Sequence, residues 1–267
     1  AADAGTAQLD VVGFPKPEGW ADVLDAVRTL TTEAHDFKTL VFDTMDAIEP
    51  LLWAYMCKRD SNPKRTLRDV EDYGFGKGYE KALDDWRVLL KMLELLCEAK
   101  GMNVIFLAHS WIKSFKDPET DGYDRYQMKL NAKASGLLKE WCDAVLFANY
   151  EAYAHKDENT KRVRGYATGA RIVHTNHTAA YDAKNRYCLP DELPLSWADF
   201  DAAATNGQVA DPTKLREEIK AKAQQLGGDL EATILKTMNE AGEDAARLAQ
   251  ITNRVTAKLG ELAQKEE

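Results

Sequence analysis

The stretch Thr39-Leu40-Val41-Phe42-Asp43-Thr44-Met45-Asp46 decides the fold. Its apolar run does not alternate with polar residues, the pattern of a strand covered on both faces in a parallel sheet. The run stops at Asp43-Thr44. A carboxylate at the C-terminal end of such a strand points into the crevice where α/β folds hold ligands. A second continuous apolar run, Asn103 to Ala108, ends in His109-Ser110.

Helical patterns lie between and around these runs. Pro17 to about Ala34 places Trp20, Val23, Leu24, Val27 and Leu30 on one face. Asp46 to about Lys58 is helical, with Pro50 close enough to its start to be tolerated. Lys77 to Ala99 is the longest amphipathic pattern, through Leu83, Trp86, Leu89, Leu90, Leu93 and Leu96, and Gly101 ends it. A helix over 132–141 leads into a strand from Ala144 to Tyr150. This alternation predicts an α/β fold with a mainly parallel sheet flanked by helices. From Tyr150 onward, short β-type pieces (Glu151–His155, Val163–Tyr166, Arg171–Thr175) predict antiparallel hairpins at one sheet edge. The expected organisation is a core over 1–200, a linker over 201–211 and a helical C-terminal region over 212–267. Gly227-Gly228 divides that last region, and a further break falls near Gly242.

Composition sets limits. Of 267 residues, 45% are apolar, enough for a sizeable core, and the formal net charge of -9 excludes a surface that is basic all over. A local basic groove stays open, because nucleic-acid binding depends on where cations cluster. Cys57, Cys97, Cys142 and Cys188 form no C-x-x-C pair, so they read as scattered thiols of a reducing cytoplasm rather than a zinc site. The run 104–108 is far too short to span a bilayer, and the first residues lack the basic-then-apolar pattern of a secretory leader. The sequence opens at Ala1-Ala2-Asp3 without Met, which leaves processing and missing upstream sequence as two expectations.

Several residues are candidates for chemistry. Asp43 suits the water shell of Mg2+ beside a nucleotide, with Thr44 adding a hydroxyl and Asp46 a further acceptor; the alternative is an acid that caps the next helix. His109 is placed to touch a phosphate or its attacking water, or simply to be hydrogen-bonded at a strand end. No G-x-x-x-x-G-K-S/T phosphate loop occurs in the sequence. Gly74-Phe75-Gly76-Lys77-Gly78-Tyr79 does not supply one: Glu71 and Gly78 stand where the motif needs Gly and Ser or Thr, and no strand precedes it. It reads as a glycine-rich helix entry. Trp111 to Lys133 is a polar connection carrying Lys113, Lys116, Arg125, Tyr126, Lys129 and Lys133 among Phe115 and Tyr123. It is either a plain surface loop or a contact for single-stranded DNA through phosphates and stacking. Lys161-Arg162-Val163-Arg164 carries the same two readings. Lys184 and Arg186 project to one side of an extended segment, either as surface ion pairs or toward a neighbouring subunit's nucleotide.

Together these residues resemble the phage-type branch of the RecA-like P-loop ATPases, the phage nucleotide-binding AAA proteins that include phage single-strand annealing recombinases. The resemblance runs from about Asp3 to Phe200. It is carried by Phe14-Pro15-Lys16-Pro17, Thr39–Asp46, Gly74–Tyr79, Asn103–His109, Asp124-Arg125-Tyr126, Trp141–Val145 and Tyr181–Tyr187 with Leu189-Pro190. It implies a RecA-like ATPase with ATP and Mg2+ as cofactors, Asp43 as the Walker B acid with Thr44 at the metal, and His109 as a sensor. Asp3, before Ala4-Gly5-Thr6, would orient the attacking water, although many relatives have the longer Glu there. Lys184 and Arg186 would act in trans within a ring or filament of copies. The implied partners are single-stranded DNA and phage recombination or replication proteins in the bacterial cytoplasm, with no membrane. The family's first strand, phosphate loop and first helix would lie before Ala1. Two expectations follow: a shortened version of a working ATPase, or a non-hydrolysing DNA- or protein-binding module on a degraded ATPase fold. A metal-dependent nuclease would need a carboxylate cluster, which Asp43 and Asp46 alone do not make.

Overall fold

A computed structural model describes residues 9–116, 121–156, 163–207, 212–242, 247–248, 251–252, 254–256 and 258–259. The chain divides into two compact units, Ala1–Trp141 and Cys142–Glu267.

In the first unit, α1 (Trp20–Thr32) starts where the Asp22 carboxylate accepts the N–H groups of Glu18 and Gly19 at 2.8 and 2.9 Å. Then follow β1 (Thr39–Phe42), α2 (Met45–Asp60), a 3-10 turn over Val70–Tyr73 and α3 (Lys77–Lys100). Gly101 ends α3 in the left-handed region at φ 62°, where its N–H reaches Cys97 O. Next come β2 (Asn103–Phe106), β3 (Ser110–Phe115), β4 (Tyr123–Met128) and α4 (Ala132–Trp141). The apolar stripes read from the sequence meet in one core: Trp20, Val27 and Leu30 of α1, Ile48, Leu52 and Met56 of α2, and Trp86, Leu89, Leu93 and Leu96 of α3. Trp20 and Trp86 meet edge to face with ring centroids 5.3 Å apart. Each such fully buried side chain contributes about 1.5–3 kcal/mol.

β1 and β2 pair in parallel, Thr39 opposite Asn103 through Phe42 opposite Phe106. Phe42 faces the core, whereas Val41 is 45% exposed, and among the described residues no further strand pairs with either edge.

In the second unit, β5 (Ala144–Val145) pairs antiparallel with β8 (Lys184–Asn185). β6 (Phe147–Lys156), β7 (Val163–His174) and β9 (Glu192–Pro194) form an antiparallel sheet in the order β6-β7-β9. Then follow α5 (Trp197–Gly207), α6 (Pro212–Leu226) and α7 (Gly228–Ala241). Ile219, Met238 and Leu248 make a separate small core.

The architecture is mixed α/β, but the expectation of a mainly parallel sheet needs correction. Parallel pairing among the described residues is confined to β1 and β2, and every other ladder is antiparallel. The stretch from Trp111, expected as a loop, forms the β3–β4 hairpin, because Trp111, Ile112, Phe115, Tyr123 and Tyr126 favour strand. Ala144 to Tyr150 joins antiparallel ladders rather than extending the parallel pair. The expected linker over 201–211 is helical through Gly207, since Ala202-Ala203-Ala204 favours helix.

Candidate functional site

The site grows from the C-terminal end of the parallel pair. The ladder continues one step past the strands: Leu107 N–H donates to Phe42 O at 2.9 Å, and Met45 N–H donates to Leu107 O at 2.8 Å. Asp43 and Thr44 lie between those two bonds, joined by a cis peptide, and Thr44 is the N-cap residue of α2. The half-buried Asp43 carboxylate makes no hydrogen bond or ion pair among the described residues. The Thr44 hydroxyl is buried and makes no hydrogen bond of good geometry, though it lies close enough to favour the neighbouring Asp46 carboxylate.

Asp46, in the first turn of α2, reaches across to the end of β2. Its Oδ1 accepts the His109 N–H at 3.0 Å, and its Oδ2 lies 3.0 Å from His109 Nδ1. An ionised carboxylate only accepts, so this contact fixes the proton on Nδ1 and leaves Nε2 as the outward nitrogen. Burial opposes the charge on Asp46, but the hydrogen bonds from His109 and the Thr44 side chain, with the attraction of His109, outweigh it. They hold the Asp46 carboxyl below its ordinary range. Lys129 Nζ stands 4.0 Å from Oδ2, and Lys129 N–H donates to His109 O at 2.8 Å.

One turn further along α2 lies Glu49, only 4% exposed. Its two oxygens share the Asn131 N–H at 3.0 and 3.2 Å. Burial pushes its carboxyl up to about 7; the Asn131 hydrogen bond opposes this, and the negative charge of Asp46 adds to it.

Thus the structure brings Asp43, Thr44 and His109 to the same end of one strand pair. The carboxylate that touches His109 is Asp46, which the sequence reading gave only the role of a further acceptor. Glu49 escaped that reading. Its signal was an acid between Ile48 and Leu52 on the face of α2 that enters the core.

Asp43 and Thr44 suit a hard cation: both are oxygen donors, one without a partner and the other without a well-aligned one. Among the described residues no group of three or more His, Cys, Asp or Glu could hold a metal by itself. That donor set fits an ion shared with phosphate oxygens and water, as Mg2+ is in nucleotide sites. Among the described residues the triphosphate end has no match. Gly74–Tyr79 joins the 3-10 turn to α3 through left-handed Gly74, Phe75 and Gly76 and follows no strand.

The expected DNA contacts separate. On the β3–β4 hairpin Lys113 stands opposite Arg125, on the face that carries Trp111, Phe115 and Tyr123. Lys113 Nζ lies 3.9 Å above the Trp111 ring, and the Arg125 guanidinium lies 4.9 Å from the Phe115 ring. Arg125 is buried, while Lys113 is exposed. Tyr126 takes the opposite face, with Ile112 and Met128. Lys116 is exposed just past β3, Lys129 faces Asp46, and Lys133 pairs with Glu80. Arg164 lies on β7 opposite His155. Asp3 and Arg162 lie outside the described residues. In the second unit Lys184 sits on β8, and Arg186 pairs with Asp143 at 2.9 Å, with both side chains 57% exposed. An exposed pair of this kind is worth about 0–1 kcal/mol.

A family model described as an AAA domain matches residues 1–187, more than half of the chain. No curated protein and no solved structure matches the chain.

Proposed function

The chain belongs to the AAA domain family, and from that premise we propose that it is a nucleotide-dependent protein that handles DNA. Family membership points to nucleotide-binding ATPase activity. The observation that carries the reading further is the parallel register of β1 and β2, which delivers Asp43-Thr44 and His109 to one end of the same strand pair.

In this reading Asp43 and Thr44 hold Mg2+, and His109 turns its Nε2 toward the phosphate end. The ion, when bound, supplies charge neutralisation at phosphate oxygens. The exposed parts of the β3–β4 hairpin, Lys113 and Trp111 first among them, contact single-stranded DNA by charge and stacking. Asp3 orients water, and Lys184 and Arg186 act between copies in a ring or filament. The finer assignment is phage recombination or single-strand annealing in the cytoplasm, supported by the sequence resemblance alone.

A second reading is a non-hydrolysing DNA- or protein-binding module on a degraded ATPase fold. Residues 1–267 contain no phosphate loop, and by themselves, without such a loop's amides and lysine, they offer a triphosphate little electrostatic stabilisation.

Two measurements test these readings. Calorimetry with Mg2+ and ATP should show weak or no binding to the 267-residue chain; micromolar affinity would overturn that expectation. Fluorescence anisotropy with labelled oligo-dT separates the two functions. ATP-dependent assembly on the oligonucleotide supports the first, and salt-sensitive binding without nucleotide supports the second.

A further inference from the structure

The β3–β4 hairpin is held at both ends by a single helix. At its entry, the N–H and Nδ1 of His109 meet Asp46. At its exit, Lys129 N–H closes onto His109 O, and two residues later Asn131 N–H meets Glu49. Asp46 and Glu49 are three residues apart on α2, so they lie on one face a turn apart. Asn131 also begins α4: its O accepts the Ser135 N–H at 2.8 Å, and its Oδ1 accepts the Lys133 N–H at 3.0 Å. The anchoring groups on the hairpin side are mostly backbone N–H donors, which any sequence in the hairpin retains. The acceptors are two specific carboxylates, and Thr44 is the N-cap of the helix that carries them.

We propose that Asp46 and Glu49 form a two-point latch in which α2 fixes both feet of the β3–β4 hairpin and sets how freely that hairpin moves. Both act as positioning residues. The latch links the strand end at Asp43-Thr44 to the hairpin through less than two turns of helix. The mechanical part stands on the hydrogen bonds alone; only the identity of what the hairpin touches rests on the DNA reading above.

Glu49 makes the exit foot sensitive to pH near neutrality. Its hydrogen-bond partner is the Asn131 backbone N–H, and among the described residues no cation forms an ion pair with it. Asp46 faces it from the same helix, with His109 and Lys129 beyond that carboxylate. From α3 comes Tyr79, whose phenol is pushed up first by burial and in part by the charge of Glu49. Glu80 of α3 pairs with Lys133 of α4 beside the same foot. The Asn131 N–H favours the ionised form of Glu49, but burial disfavours it more, so opening the foot to water becomes easier once the carboxyl ionises. The exit foot therefore loosens as pH rises through about 7.

Hydrogen-exchange mass spectrometry on the full chain tests this, comparing wild type with Glu49→Gln, Glu49→Ala and Asp46→Ala. After correction for intrinsic rates, Glu49→Ala should speed exchange around Asn131 by about tenfold, while the α3 core keeps its protection. Glu49→Gln, which keeps an acceptor oxygen, should restore most of the protection and abolish its fall between about pH 6 and pH 8. Asp46→Ala should loosen the entry foot around His109 instead. Unchanged protection at both feet in the Ala variants overturns the latch, and so does a pH response that survives in Glu49→Gln. Anisotropy with oligo-dT on the same variants separates the two ideas. Looser feet with altered oligonucleotide affinity support latch and DNA reading together. Looser feet with no oligonucleotide binding in any variant support the latch and remove the DNA reading.

Discussion

Asp46 grips His109 twice, at the backbone N–H and at Nδ1, each at 3.0 Å. One carboxylate in the first turn of α2 thereby fixes both the path of the chain leaving β2 and the orientation of the imidazole. A double-mutant cycle with Asp46→Ala and His109→Ala isolates the side-chain part, because His109→Ala leaves the backbone bond in place. Urea denaturation should give a coupling energy of about 1 kcal/mol, and Asp46→Ala alone should cost about 1–3 kcal/mol by stranding the His109 N–H.

Glu49 predicts a slope in stability with pH. Its folded value, about 7, lies above the ordinary 4.5, so the folded chain holds this proton more tightly than the unfolded chain. The contribution is fully present below about 4.5 and is lost as pH rises through about 7. Glu49→Gln removes that loss. Relative to wild type, the variant should gain on the order of 1–3 kcal/mol on going from about pH 5 to about pH 8, measured by urea denaturation at both. Parallel curves for the two proteins would contradict it.

Two helix glycines should respond oppositely to alanine. At Gly78 an added Cβ would sit 2.2 Å from Val70 O and 2.7 Å from Val70 Cγ2. Gly136, inside α4, has nothing within 4 Å of the same position. Gly78→Ala should lower stability by about 1–3 kcal/mol, since a backbone oxygen cannot step aside cheaply. Gly136→Ala should raise it by about 0.5–1 kcal/mol through helix propensity. Thermal melts of the two variants make the comparison.

The Asp43 carboxylate makes no hydrogen bond or ion pair among the described residues, so it is not a support of the fold. Asp43→Ala should leave the melting temperature within about 2 °C of wild type, because no hydrogen bond is lost. In a chain supplied with a phosphate loop, the same change should abolish ATP turnover. Unchanged turnover would remove Asp43 from the mechanism.

Long-range amphipathic patterns were legible in the sequence. The stripe from Leu83 to Leu96 gave α3 within a residue of its observed end, and the unbroken apolar runs gave β1 and β2. Pairing was less legible. A mainly parallel sheet with antiparallel edge hairpins was expected, and Trp111 to Lys133 read as a polar connection, yet Trp111 to Met128 folds back on itself as a hairpin, because cross-strand aromatic and β-branched partners decide a ladder and their register is not written locally. The site was half legible. A polar residue at a strand end announced Asp43 and His109. That Asp46 and not Asp43 would touch His109 depended on where the first turn of α2 lands, and the raised carboxyl of Glu49 depended on burial that no single residue shows.

The exposed Val41, on a strand whose edge away from β2 lacks a strand partner among the described residues, bears on handling the protein. A short apolar ribbon with unclaimed amides and carbonyls is a template for stray strands, so concentrated solutions should cloud from this point first. A lysine at position 41 should act as a gatekeeper. Light scattering during concentration would register it as a higher ceiling before turbidity, with the Trp20–Trp86 interior left as it was.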